Sequence, residues 1–147
     1  MNTPTIRHEA MSDIFHKFYV ENFSSKQNIV FHRFDEPEPL NADAHDHPFD
    51  FRTTIIEGSY IERIWRQNPN GGTWWHTDIH RQSGSTHFVE AKTIHQIIDL
   101  PEGPCITMIT HKEPTRKSGF WKFQDGKAMF REWDQEEFQP VNNPYEK

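Results

Sequence analysis

Apolar side chains at Met11, Ile14, Phe15 and Phe18 fall at i, i+3, i+4 and i+7. That spacing predicts one short amphipathic helix, started by Ser12 or Glu9 and packed on the outside or end of the remaining fold. From Gln27 onward the period changes to two. Ile29, Phe31 and the following residues alternate until Glu36-Pro37-Glu38-Pro39 ends the strand. Short β-branched and aromatic runs then recur at Thr53–Ile56, Tyr60–Trp65, Trp74–Ile79, His87–Glu90, His95–Leu100 and Ile106–Thr110. They are separated by the turn formers Glu57-Gly58-Ser59, Asn68 to Gly72, Gln82-Ser83-Gly84 and Pro101-Glu102-Gly103-Pro104. Gly119 to Phe123 and Met129 to Trp133 read as a last hairpin around Asp125-Gly126, a pair suited to a turn with positive φ.

Short strands at this spacing, with no second helical pattern among them, predict an all-β antiparallel sandwich or barrel of the jelly-roll kind. The division expected is an N-terminal helical segment over 1–26, a barrel over 27–138 and a flexible tail over 139–147. A chain of 147 residues fits one core of this size. Its apolar fraction is only 33%, but 12 Phe and 5 Trp supply core volume through a few large side chains.

Charge narrows the choice of partner. A formal net charge of −6 and scattered Lys and Arg disfavour generic binding to nucleic-acid backbone, and a small-molecule substrate is expected instead. No apolar run approaches the roughly 20 residues that cross a bilayer, so no membrane role is expected. A lone Cys105 and the absence of a basic-then-apolar leader predict a cytoplasmic setting.

Ten His stand out, because imidazole is the commonest metal ligand. His45-Asp46-His47 forms an HxH pair, and on a strand both rings share one face. Two imidazoles are too few for a tight site, so a third ligand must come from elsewhere, and the segment around His95 is the best supplier.

At this point the chain resembles the cupin superfamily. His45, His47 and Gly58 occupy the HxH and closing-Gly positions of its first motif, while Gly84 and His95 have the spacing of the Gly and His of its second. The likeness runs from about Phe31 to Thr110. It implies a cupin-type double-stranded β-helix holding one divalent metal ion, Fe(II) favoured, with Zn, Mn or Ni as alternatives. Phe51 stands where a cupin usually places a metal-binding Glu, and Glu90-Ala91-Lys92 replaces the Pro-x-Gly, which implies a three-His site or one completed by a neighbouring carboxylate. Asp50, turned inward by a bulge at Pro48, would supply that carboxylate or else orient a ligand His. The run from His45 to Phe51 with Tyr60, Glu62, Lys92, Arg116 and Gly119-Phe120 is also similar to small cupin proteins of bacteria and their phages. That likeness implies that Arg116 and the Gly119-Phe120 hairpin border the pocket.

Around this set, Phe51 serves as core or apolar pocket wall. Tyr60 and Glu62 share one strand face, with Arg63 and Trp65 on the other, and the pattern leaves open which is inside. Tyr60 would orient substrate, and Glu62 is either a general base or an exposed salt-bridge partner. Arg52 and Arg116 can offer a guanidinium fork to an anionic substrate or serve as surface charge. His76, His80 and His87 form either a second cluster or a solvated strand face, and His111 follows an apolar strand toward the barrel mouth. The function expected is a metal-dependent enzyme, an Fe(II) dioxygenase or oxygenase, since cupins with three His and no Glu include such enzymes. The alternatives are a binding module for a sugar, nucleotide or other metabolite, and a Zn-, Mn- or Ni-dependent isomerase or hydrolase. Exposed barrel edges in that superfamily commonly pair into a homodimer.

Overall fold

The computed structural model describes residues 3–24 and 26–141. All regular elements in that range are strands, thirteen in number, paired antiparallel in two sheets. The first sheet runs, in spatial order and with strands numbered along the chain, β1 (Thr5–Ala10), β2 (Phe15–Glu21), β3 (Asn28–Phe34), β10 (Cys105–His111), β5 (Phe51–Glu57) and β8 (Thr86–Val89). The second runs β13 (Gln139–Pro140), β12 (Lys127–Glu132), β11 (Gly119–Gln124), β4 (Ala44–His45), β9 (Ile94–Asp99), β6 (Tyr60–Gln67) and β7 (Trp74–Arg81). Strands that adjoin in space but lie far apart in sequence, such as β3 and β10, give the jelly-roll connectivity.

The strand runs read from the sequence match β3 and β5 to β12 in existence and type, while the two-residue β4 is not among them. The N-terminal helix does not form. Its residues make the β1–β2 hairpin, and β2 pairs along its length with β3, from Phe15↔Phe34 to Val20↔Ile29. A helix of two turns is marginal without a partner, whereas the same residues as a strand join an existing sheet edge and satisfy their backbone groups there. Phe15, Lys17 and Tyr19, at period two, then line the barrel interior. At the other end, Gln139 and Pro140 pair with β12 and the Val141 N–H donates to the Ala128 carbonyl at 3.0 Å. The rest of the expected tail lies outside the described residues.

Alternation puts Phe51, Thr53 and Ile55 of β5 inside and Arg52 outside. One apolar cluster comprises Phe34, Ile55, Tyr60, Ile97, Leu100 and Cys105 with Phe15 against it. A second comprises Phe51, Val89 and Ile109 with Phe49 against it. Two turns show why their glycines are needed. Gly58, at φ 76° between β5 and β6, sits where a Cβ would stand 2.6 Å from the Pro104 carbonyl oxygen. Asp125 and Gly126, at φ 53° and 73°, make the turn that joins β11 to β12.

Candidate metal centre

β4 is only two residues long, yet it places the site. His45 is the direct cross-strand partner of His95 on β9 and of Phe120 on β11. His47, two residues on, returns to the same face. The three rings meet: His45 and His95 have centroids 4.7 Å apart, His47 and His95 4.6 Å, and His45 and His47 5.1 Å. One ring nitrogen from each lies within 4.8 Å of the others, the sole such group of three ligand-type side chains found among the described residues. The His47 and His95 Nε2 atoms stand 3.1 Å apart. A cation bonded to two imidazoles at about 2.1 Å, with an angle between right and tetrahedral, holds their nitrogens roughly 3.0 to 3.4 Å apart, so the donor set fits a divalent ion.

Electrostatics keeps these rings available. Burial, with smaller contributions from His95 and Lys17, pushes His45 down to about 3. Burial and the neighbouring imidazoles hold His47 well below the ordinary histidine range. Both are therefore neutral at pH 7 and can present a lone pair.

His95 is oriented by a residue whose weight the sequence understates. Glu62 is 0% exposed, and its Oε2 accepts a hydrogen bond from His95 Nδ1 at 2.5 Å. Glu62 faces Ile97 across β6 and β9, so His95 is its diagonal neighbour, within reach of a long side chain. Arg81, on β7, donates from Nε to Glu62 Oε1 at 3.0 Å along the next diagonal. Burial works to raise the Glu62 carboxyl, but the His95 hydrogen bond and the charges of His95 and Arg81 together hold it down to about 2. An ionised carboxylate can only accept, so His95 donates to it from Nδ1 and turns Nε2 toward the cluster. The inner face of β6 is thus settled as Tyr60, Glu62 and Ile64, and Glu62 is not an exposed salt-bridge partner.

Asp46, between the two ligand-type His, points the other way and is 4% exposed. It accepts from the Gly119 N–H at 2.7 Å, from Trp121 Nε1 at 3.1 Å and from Arg116 Nη2 at 3.3 Å. Arg116 Nη1 also donates to the carbonyls of His47, at 2.8 Å, and Ala91, at 3.1 Å. Arg116 thus clamps the HxH segment instead of presenting a free fork to the cavity. Asp50 stands outside the three-His group: it is exposed and accepts from the Ala91 N–H at 2.7 Å, so Pro48 does not turn it inward. Arg52 is exposed, over the Phe88 ring at 6.0 Å, and does not line the cavity.

The rings open into a cavity of about 520 Å³. Phe51 is one wall, 4.7 Å from the His47 ring, and Phe49 lies flat on His111 at 3.7 Å. Tyr60 lines the same space with its hydroxyl 3.3 Å from His87 Nε2, and burial together with Glu62 pushes that hydroxyl well above its ordinary range. His76, His80 and His87 do not form a second cluster. His87 turns inward to Tyr60, whereas His76 and His80 are exposed on β7. Two wall residues escaped the sequence reading. Glu38, from the loop after β3, is raised by burial, and its Oε2 accepts from the Ile97 N–H at 3.4 Å. His32 lies on the inward face of β3, where the alternation Val30, His32, Phe34 could have placed it.

No protein-family model matches the chain, and no curated protein matches it. Solved structures do. Hydroxypropylphosphonic acid epoxidase from S. wedmorenis superposes with a TM-score of 0.56 at 11% identity, over 72% of this chain and 55% of that one. Bacillus subtilis oxalate decarboxylase, with Mn(II) centers, gives 0.54 at 14% identity, over 73% and 28%. A structure of the DMSP lyases RdDddP and RnDddQII gives 0.52 at 16% identity, over 75% and 57%. The chain therefore spans between about a quarter and three-fifths of the chains it resembles. Its two curled sheets and these likenesses establish the fold as the cupin-type jelly-roll barrel.

Proposed function

We propose that this protein is a metal-dependent enzyme acting on a small molecule, with one divalent ion held by His45, His47 and His95, and that it is an Fe(II) oxygenase. The 3.1 Å approach of two imidazole nitrogens beneath an aromatic cavity is the observation that carries the reading. Bound iron would supply Lewis-acid and redox chemistry with positions left open by only three protein ligands. The chain's own residues do the rest. Glu62 holds the His95 proton on Nδ1, Asp46 and Arg116 brace the HxH segment, and Phe49 and Phe51 keep water from the site. Structures of the same fold include an FeII form of HppE and the Mn(II) centers of oxalate decarboxylase. Anaerobically Fe(II)-loaded protein, challenged with small organic acids and alcohols, is expected to consume oxygen in step with substrate. Refusal of iron, or uptake of iron with no substrate-dependent oxygen consumption across the panel, contradicts the oxygenase assignment.

Glu38 favours a second reading, a Zn-, Mn- or Ni-dependent enzyme of proton-transfer chemistry. A carboxyl raised by burial, in the same cavity as the imidazoles, is placed to give and take a proton. The metal retained by protein purified without additions separates the two, iron favouring the first and Zn, Mn or Ni the second.

A further inference from the structure

The inner face of the six-stranded sheet is ordered in rows across its strands. Phe15, Phe34 and Cys105 form one row, and Tyr19, Val30, Ile109 and Thr53 another. Between them the register aligns Lys17 on β2, His32 on β3 and Thr107 on β10. All three line the cavity that the metal centre opens into. A polar row between apolar rows on a barrel's inner wall costs stability unless its groups find partners.

Among the described residues these groups find no polar partner, and the Lys17 ammonium has only the Phe15 ring, at 5.9 Å. The Lys17 ammonium has no hydrogen-bond acceptor and no ion-pair partner among the described residues. Its sole carboxylate influence is Glu9, on the neighbouring β1, whose Oε1 accepts from the Tyr19 hydroxyl instead. Thr107 is 1% exposed and its Oγ1 has no partner. Burial holds His32 well below the ordinary range, so it is neutral and keeps one N–H to donate. Side by side at cross-strand spacing stand an ammonium, an imidazole N–H and a hydroxyl, with no anion beside them.

We propose that Lys17, His32 and Thr107 form a recognition site for the anionic head, carboxylate or phosphonate, of the small molecule that this cavity binds. The inference rests on the enzyme reading above for what lies at the ligand's other end, which points toward the three imidazoles. It names the substrate class as a small organic acid. Lys17 supplies the charge, while His32 and Thr107 give direction to the oxygens. Phe15 on one side and Val30 on the other exclude neutral polar groups that could not offset burial of the ammonium.

The test uses the full chain in two states, stripped of metal with EDTA and loaded with one equivalent of Mn(II). Each is titrated calorimetrically with propionate, ethylphosphonate and neutral propionamide. Both anions are expected to bind and propionamide is not, and the stronger of the two tells a planar carboxylate site from a phosphonate site. Lys17→Gln weakens the anions at least about tenfold in both states, Lys17→Arg retains part of the affinity, and Lys17→Gln leaves the Mn(II) stoichiometry intact. Without anion, Lys17→Gln also melts higher than the parent, because an uncompensated charge has left the wall, and this verifies that the variant is folded. Binding of propionamide as tight as that of the anions overturns the proposal, as does anion affinity indifferent to Lys17. Anion binding confined to the Mn(II) state and insensitive to Lys17 overturns it too, since the anion is then a metal ligand only. If wild-type protein takes no Mn(II) while Lys17-dependent anion binding persists, the enzyme reading fails and the anion site stands.

Discussion

Glu62 Oε2 lies 2.5 Å from His95 Nδ1, and the carboxylate that makes this contact is closed off from solvent. Glu62 therefore acts on the cation through His95, by fixing which nitrogen faces it. Glu62→Gln keeps the volume but removes the charge, and the amide can present its NH2 to Nδ1 as easily as its oxygen. Metal affinity is expected to fall roughly 10- to 100-fold, read as a shift in competition with a chelator of known strength. Unchanged affinity contradicts the orienting role.

Asp46 braces the same segment from the opposite face through a backbone N–H, an indole N–H and a guanidinium. Asp46→Ala leaves the buried Gly119 N–H and the half-buried Trp121 indole without this acceptor. We expect a loss of about 3 kcal/mol in urea unfolding, with Asp46→Asn intermediate. A loss under about 1 kcal/mol would mean that Arg116, through the carbonyls of His47 and Ala91, holds the segment unaided.

Acid stability depends on the buried imidazoles. His45 is held at about 3 and His87 at about 4, and His32 and His47 are also lowered, all by burial first. The unfolded chain protonates these groups below about 6.5, while the folded chain resists until far lower. Stability contributed by each is thus present above about 6.5 and lost as pH falls toward the folded value. Glu62, depressed to about 2, adds a loss of the same sign below about 4.5, and Glu38, which is raised, opposes it weakly. Metal-free protein should lose up to about 1.4 kcal/mol per pH unit through His45 alone on going from pH 6.5 toward 4. Denaturant midpoints measured across that range check it, and a flat profile refutes the neutral-imidazole description.

Most of the barrel was legible because its signals are local. Period two from Ile29 onward, turn formers at Gly58 and Gly84, and Asp125-Gly126 each act within a few residues. His45, His47 and His95 were legible as a set because strand alternation and spacing bear on them directly. The N-terminal hairpin was not, since Met11, Ile14, Phe15 and Phe18 follow a helical period while the inward row Phe15, Lys17 and Tyr19 carries a charge in its middle, and pairing with β3, a tertiary choice, decides. Glu62, Asp46, Arg116 and Lys17 were obscured for a shared reason. Charged side chains are mostly free in solvent, and the partners that engage these four lie far off in sequence: Arg81 and His95 for Glu62, Gly119 for Asp46, Ala91 for Arg116, and the register with His32 for Lys17.

Metal binding should be visible as stabilisation. An ion held at 100 times its dissociation constant adds about 2.7 kcal/mol, a rise of roughly 9 °C in melting temperature for a chain of this length. His47→Ala is expected to abolish that rise. Persistence of the full shift in that variant places the ion elsewhere.

The most direct measurement is a titration of EDTA-stripped protein with Fe(II) under anaerobic conditions, followed by metal analysis of the desalted product, for the parent chain and for His45→Ala, His47→Ala and His95→Ala. Convergence of the three rings predicts one ion per chain in the parent and well under half of that in each variant. Substoichiometric iron in the parent, or a full complement retained when any one of the three imidazoles is removed, contradicts it.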